Sequence, residues 1–207
     1  MPRPTRPVAA EPAFSVLPAN SVGWDDLQTV LGMRGGPSRC WCQRYKLAPR
    51  ESFGAVPAED RAERLREQSG CGQPRARATS GLVAYLDGEP VGWCAVEPRT
   101  AYTGLARVHR VPWAGRDEDK ADGSVWAVTC FVTRAGSRRR GVTRVLAAAA
   151  VEHARSRGAR ALEGYPITTT EVMLEELHVG TVGTFAAAGL QVVSRPTTRR
   201  VVMRIDL

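Results

Sequence analysis

The chain has 207 residues, 43% of them hydrophobic and 24% charged, enough for one well-buried core. Its 29 Lys and Arg against 21 Asp and Glu leave a formal charge of +8, nearly all of it arginine, since Lys46 and Lys120 are the sole lysines. That balance suits nucleic acid, a phosphorylated cofactor or an anionic substrate equally, and it decides nothing about fold.

No run of about 18 apolar residues occurs, which argues against a membrane-spanning helix. The opening MPRPTRPVAAEPAF lacks the apolar stretch of about 7 to 15 residues that a secretory signal needs. Five cysteines (Cys40, Cys42, Cys71, Cys94, Cys130) form no regular framework and fit free thiols in a reducing compartment. The expectation is a cytoplasmic protein without disulfides.

In chain order, Pro2, Pro4, Pro7 and Pro12 predict an extended arm over residues 1 to 12, ahead of one domain spanning 13 to 207. A strand is expected near Phe14. Asn20 or Ser21 is positioned to cap a helix through Trp24, Leu27, Val30 and Leu31, ended by Gly32, Gly35, Gly36 and Pro37. PAEDRAERLREQ, starting at Pro57, has acids first and arginines later, the order that complements a helix dipole.

Two apolar runs, Leu82 to Leu86 and Val91 to Val96, flank Asp87-Gly88 and predict a hairpin. Arg99 to Ser124 reads as a surface loop. Val125 to Val132 is a compact β-branched and aromatic run, suited to a central strand buried on both faces. The following helix places Val142, Val145, Leu146, Ala149, Ala150 and His153 on one expected face and stops at Gly158. A short strand Ala161 to Tyr165, a connector Thr168 to Val179, a short helix Thr181 to Ala188, and strands Leu190 to Val193 and Val201 to Ile205 complete the chain.

The junction between the central strand and its helix carries Arg138-Arg139-Arg140-Gly141-Val142-Thr143. A helix start offers unpaired amides and a partial positive charge, Gly141 permits close backbone approach, and the arginines add charge-assisted contacts. Arginines at the positive end of a helix dipole are unfavourable without an anion to offset them. An anion site is therefore expected there.

These residues resemble the cofactor signature of the GCN5-related N-acetyltransferase (GNAT) superfamily, Arg/Gln-x-x-Gly-x-Gly/Ala between the fourth strand and the third helix. Arg138 and Gly141 match it, and Thr143 departs from the small third residue. The order of elements over residues 13 to 207 is also that of the superfamily. Cys40 to Tyr45 (CWCQRY), Val179 to Phe185 (VGTVGTF) and Gly189-Leu190 resemble a bacterial subgroup of it.

The resemblance implies an α/β (α+β) fold, a mixed, mostly antiparallel sheet flanked by helices with splayed central strands. It implies an acyltransferase using acyl-CoA, with acetyl-CoA as co-substrate and no metal, moving the acyl group to a primary amine of a small molecule or peptide in a ternary complex. The pantetheine arm would lie against Phe131, Val132 and Thr133, and the diphosphate on the amides of Arg139 to Thr143, aided by Arg138 and Arg140.

For proton transfer the candidates are Glu163 as base, Tyr165 two residues along on the same face, and His178. Phe185 stands where many members carry a tyrosine that protonates the leaving thiolate, so another group or water must do so. Trp41 and Tyr45 are expected to line the acceptor pocket, while His109 and His153 read as structural or surface residues. Cys40-x-Cys42 lacks the second ligand pair that zinc needs, and Cys130 reads as core. Competing readings are a transferase using aminoacyl-tRNA, for which the basic balance would serve, and a non-catalytic module binding nucleotide or nucleic acid. A monomer or homodimer is expected.

Overall fold

Asp87 and Gly88 both take positive φ, 52° and 85°, as a two-residue hairpin turn requires. They join strands β2 (Gly81–Leu86) and β3 (Glu89–Pro98) in antiparallel register. The computed structural model describes residues 13–32, 35–169 and 171–207, so the arm expected over 1 to 12 lies outside the described residues. β1 (Phe14–Pro18) pairs antiparallel with β2, and β4 (Val125–Thr133) with β3.

After β4 the chain passes through helix α5 (Val142–Ser156) and returns as β5 (Ala161–Gly164), which pairs parallel with β4. β6 (Gln191–Ser194) and β7 (Val202–Asp206) close a seven-stranded sheet of order β1-β2-β3-β4-β5-β7-β6. The result is the mixed, mostly antiparallel sheet flanked by helices that the sequence predicts.

Alternation along the strands divides the core in two. Leu82, Ala84, Cys94 and Val96 face α5, where Val142, Leu146 and Ala150 cover them. A Cβ on Gly92 would collide with Val142 and Leu146, so glycine lets α5 sit directly on β3. Val83, Trp93, Ala95, Cys130 and Val132 face the other way, against Leu27, Val30 and Leu31 of α1 (Trp24–Leu31). Val128 and Phe131 share the α5 face although they are three residues apart. The cause is a bulge: Ala95 pairs with Cys130 and Val96 with Val128, leaving Thr129 as the extra residue on β4.

Several local expectations shift. α1 starts one residue after Gly23, with no side-chain cap, because Asn20 is buried and donates to the Ala76 carbonyl at 3.0 Å. The buried stripe of α5 holds Val142, Leu146, Ala150 and His153 of the expected face and adds Ala147, Val151 and Ala154, while Val145 and Ala149 are half-buried. Arg99 to Ser124 is not all loop: it contains a short helix after the turn at Arg99. A further five-residue helix, Gly36–Cys40, was not expected, because its Gly-Pro start reads as a helix stop. In order these two are α2 (Gly36–Cys40) and, after α3 (Ala58–Ser69), α4 (Thr103–Val108). The last helix is α6 (Val182–Ala187), capped by the Thr181 side chain, which accepts from the Thr184 amide. Among the described residues no helix is long and apolar enough to cross a membrane.

His153 lies in this core, edge-on to Trp126 with ring centroids 5.7 Å apart. Burial, with a smaller effect of Arg157, pushes its imidazole down to about 4. The unfolded chain protonates near 6.5 and the folded chain resists, so stability is full above that value and declines as pH falls toward 4. Urea midpoints are expected to drop across this window, and more shallowly in His153→Phe, which keeps an aromatic edge but cannot titrate.

Candidate active site

Parallel pairing of β4 with β5 ends at Val128 and Gly164, and β4 continues through Thr129–Thr133 with no strand beside it on that side among the described residues. A sheet that parts in this way leaves backbone donors and acceptors along one edge, able to pair with an extended ligand as a strand would. Phe131, Val132 and Thr133 all lie on this open length.

At its end the chain turns through a 3-10 segment, Ala135–Ser137, into the arginine loop. Arg139 and Gly141 both have positive φ, 62° and 86°, and bend the loop so that Gly141 caps α5. No atom lies within 4 Å of where a Gly141 Cβ would sit. Arg138, Arg139 and Arg140 are exposed, Thr143 is half-buried and Val142 is buried in the core. The amides of Arg139 to Thr143 donate to no protein group among the described residues. Such a loop could hold a diphosphate, with the arginines neutralising it.

On the opposite side of the parting, a cavity of about 20 Å³ opens between β4, the end of β5 and α4. Leu105, Val111, Pro112, Val128 and Val179 make its apolar wall, and Tyr45, His109, Thr129, Tyr165 and Arg200 its polar one. α4 reaches this wall because of Gly104, whose Cβ would lie 2.9 Å from the Tyr45 carbonyl oxygen. Tyr45 meets His109 edge-on at 4.7 Å and stacks on His178 at 6.4 Å. Trp41 is elsewhere: it stacks on Trp24 at 5.5 Å within the α1 core, so of the two expected pocket aromatics only Tyr45 borders this cavity.

His178 lies in the last turn of the 3-10 segment Leu174–Val179. Its Nδ1 is 2.7 Å from the Glu175 carbonyl oxygen, which can only accept, so the proton sits on Nδ1 and Nε2 carries the lone pair. That Nε2 is buried and has no partner among the described residues. Burial lowers the pKa of the ring, and the charges of Arg44 and Arg200 add to this, so the imidazole is neutral at pH 7. The same forces lower the pKa of His109, a pocket residue that the sequence read as structural or surface because it sits in a polar, irregular stretch without a motif.

Glu163 is fully buried. Its Oε1 accepts from Arg116 at 2.6 Å and Arg204 at 3.2 Å, while Oε2 accepts from Arg99 at 3.2 Å and from the Tyr165 hydroxyl at 3.0 Å. Burial would raise its pKa, but Arg116 and Arg99 outweigh it and hold the carboxyl below the usual range. Both oxygens are thus occupied as acceptors, a poor arrangement for taking a further proton. Tyr165 is buried too, and desolvation with the neighbouring carboxylate pushes its hydroxyl well above its usual value. Glu163 and Tyr165 are brought together, and His178 stands apart across Tyr45.

Among the described residues no three His, Cys, Asp or Glu side chains are grouped as a metal site would require. Cys42 is buried and its Sγ accepts from the Trp93 indole at 3.1 Å. Phe185 is fully buried against Phe131, with ring centroids 5.6 Å apart, and a Cβ on Gly164 or Gly180 would run into its ring.

The fold is shared with solved acetyltransferase structures. An N-acetyltransferase from Staphylococcus aureus Mu50 aligns with 94% of this chain and 98% of its own at TM-score 0.53 and 10% identity. yncA from Salmonella typhimurium, solved with its cofactor acetyl-CoA, aligns over 94% of both chains at 0.51 and 12%. An acetyltransferase of the GNAT family from Streptococcus pneumoniae aligns over 94% and 99% at 0.50 and 14%. No curated protein sequence matches the chain. The model of the Acetyltransferase (GNAT) family matches residues 41–168, well over half the chain, and the protein belongs to that family.

Removing the Glu163 charge leaves Arg99, Arg116 and Arg204 with the half-buried Glu118 as their one shared carboxylate among the described residues. Glu163→Gln is expected to lower the unfolding free energy by about 3–5 kcal/mol in urea titrations at pH 7. Because the folded pKa is depressed, this contribution is complete above the unfolded value of 4.5 and is lost as pH falls through the folded one. Wild type and variant therefore converge in acid.

Proposed function

We propose that this protein transfers an acetyl group from acetyl-CoA to a primary amine by direct attack in a ternary complex. The observation that carries the reading is the open length of β4, Thr129–Thr133, running straight into a loop of free amides at the start of α5. In this reading Phe131 to Thr133 pair with the pantetheine arm, and the amides of Arg139 to Thr143, with Arg138 and Arg140, take the diphosphate. The Thr143 hydroxyl at the first helical turn adds a donor rather than bulk. Acetyl-CoA would supply an activated thioester at the parting of the strands.

The chain's own part is to bind, orient and deprotonate the amine. Of the three candidates for proton transfer, we assign the base to His178, because its Nε2 lone pair is free whereas the oxygens of Glu163 are taken. A tautomer fixed by the Glu175 carbonyl keeps that lone pair in place. The Tyr165 hydroxyl donates a hydrogen bond to Glu163, which leaves its oxygen lone pairs to accept from the ammonium and orient it. Tyr45 walls the acceptor on the side of His178. The departing thiolate would take its proton from His178 or from water, since Phe185 has none to give.

Three substitutions test this. Gly141→Glu adds bulk and negative charge beside the diphosphate, and should abolish acetyl-CoA binding in calorimetry while circular dichroism stays native; retained binding would show the loop is misassigned. Gly141→Asn, which tolerates positive φ, should keep measurable affinity. His178→Gln should lower kcat about 10²- to 10⁴-fold with little change in KM for acetyl-CoA. Wild-type kcat/KM should fall only below pH 6.5, since the imidazole is already neutral at pH 7.

A further inference from the structure

Trp41 and Cys42 are adjacent, and both take the left-handed backbone region, with φ of 47° and 53°. Neither is glycine, so the turn after α2 carries a steric cost, which persists only where surrounding contacts enforce it. Stacking on Trp24 secures Trp41. Cys42 is turned into the α1 core, where its Sγ accepts from the Trp93 indole at 3.1 Å and lies within hydrogen-bonding reach of the Cys130 thiol. Trp93 and Cys130 come from the neighbouring strands β3 and β4 and pack in the same core. Lys46, paired with Glu97, adds a positive charge nearby.

The five cysteines are chemically unequal. Burial raises the pKa of Cys40, Cys71 and Cys94, and the hydrogen bond to Cys42 with burial raises that of Cys130. Cys42 alone is shifted down: donation from Cys130 outweighs burial, and Trp93 and Lys46 add to it. The thiolate is the nucleophile of sulfur chemistry, and a thiolate beside a second thiol has its resolving partner in place. Cys42 and Cys130 each keep 7% of their surface exposed whereas Cys94 has none, so a molecule as small as a peroxide can reach the first two and not the third.

We propose that Cys42 and Cys130 are a redox pair, converted by hydroperoxides to a disulfide that closes the open length of β4 to acetyl-CoA. In the first step the Cys42 thiolate attacks one peroxide oxygen. The O–O bond breaks, the other oxygen leaves as hydroxide or alkoxide, and Cys42 becomes a sulfenic acid. In the second step the Cys130 sulfur displaces the hydroxyl of that acid, which departs with the Cys130 proton as water. Two electrons pass from the two sulfurs to the peroxide, and an external thiol reverses the change. Cys130 stands between Thr129 and Phe131, so drawing it toward the turn after α2 displaces the edge of β4. The effect on acetyl-CoA rests on the transferase reading above; the disulfide does not.

The test treats the reduced full chain with hydrogen peroxide and reads intact mass and a peptide map. The chain should lose about 2 Da, show a Cys42–Cys130 linkage, and regain its mass in dithiothreitol. Cys130→Ser should stop at a Cys42 sulfenic acid trapped by dimedone, Cys42→Ser should give neither product at these positions, and Cys71→Ser should still form the linkage. The wild-type map needs no variant, so a serine variant that fails to fold leaves the test intact. In calorimetry the oxidised wild type should bind acetyl-CoA about tenfold or more weakly, with affinity restored on reduction. A different linkage such as Cys40–Cys42, no linkage, or one that forms only with loss of the native circular dichroism spectrum would overturn the pair. A Cys42–Cys130 linkage with unchanged acetyl-CoA affinity would overturn the closure of β4. Failure of the reduced chain to bind acetyl-CoA sinks the transferase reading instead, and the map still decides the disulfide.

Discussion

A single buried carboxylate holds together the parts of the chain on which the site depends. Glu163 sits at the point where β5 leaves β4, and its partners come from three distant segments: Arg99 from the end of β3, Arg116 from the long connection and Arg204 from β7. Glu118 and the Asp119 carbonyl add acceptors for Arg99, which also lies 4.6 Å from the Trp113 ring centroid. Burying a lone carboxylate is costly, and burying three guanidiniums is costlier still; each is tolerable because the other is there. The polar cluster therefore behaves as one piece, and it fixes a connection that would otherwise be a free surface loop.

The consequence for the site is geometric. With Arg99 and Arg116 anchored, α4 lies against the Tyr45 turn and His109 comes to face Tyr45. With Glu163 anchored, the Tyr165 hydroxyl has its proton directed inward. The bulge at Thr129 acts on the other wall: it shifts the register of β4 so that Phe131 turns to the α5 side while Cys130 packs toward α1. Both devices operate within a few residues of where the strands part. The cavity is thus shaped by backbone irregularity and ion pairing together, each placed by residues remote in sequence.

That remoteness explains how far the sequence could be read. The hairpin at Asp87-Gly88, the central strand and the arginine loop were legible because their signals are local: a turn dipeptide, an apolar run, a charged helix start. The burial of Ala147 and Val151 on α5 was not, since it depends on how closely the helix is seated on the sheet, and that is set by Gly92 on another strand. Glu163 was visible as a carboxylate on the right strand, but its three arginines are 41 to 64 residues away and nothing in their spacing announces the pairing. Arg200 and His109 were missed for the same reason, while Trp41, conspicuous beside Cys42, is claimed by Trp24.

Phe185 shows why a substitution at a family position should be read with its neighbours. Replacing a tyrosine by phenylalanine removes a hydroxyl, and if that were all, the ring would lie where a tyrosine ring would. Here the tip of the ring points at Gly164, so closely that a Cβ there could not fit, and its far edge fills the space that a side chain on Gly180 would need. A hydroxyl at that tip would be driven into the backbone of β5 just where it leaves β4. The two glycines and Phe131 accept a ring without an oxygen, and the wall beneath the parting is apolar as a result. A proton for a departing thiolate cannot come through such a wall. It must arrive from another direction, and His178, stacked on Tyr45, holds a buried imidazole nitrogen without a partner among the described residues. On the proposed reading, the proton that this ring takes from the amine is the proton it can return, and the loss of the tyrosine concentrates both transfers on one histidine.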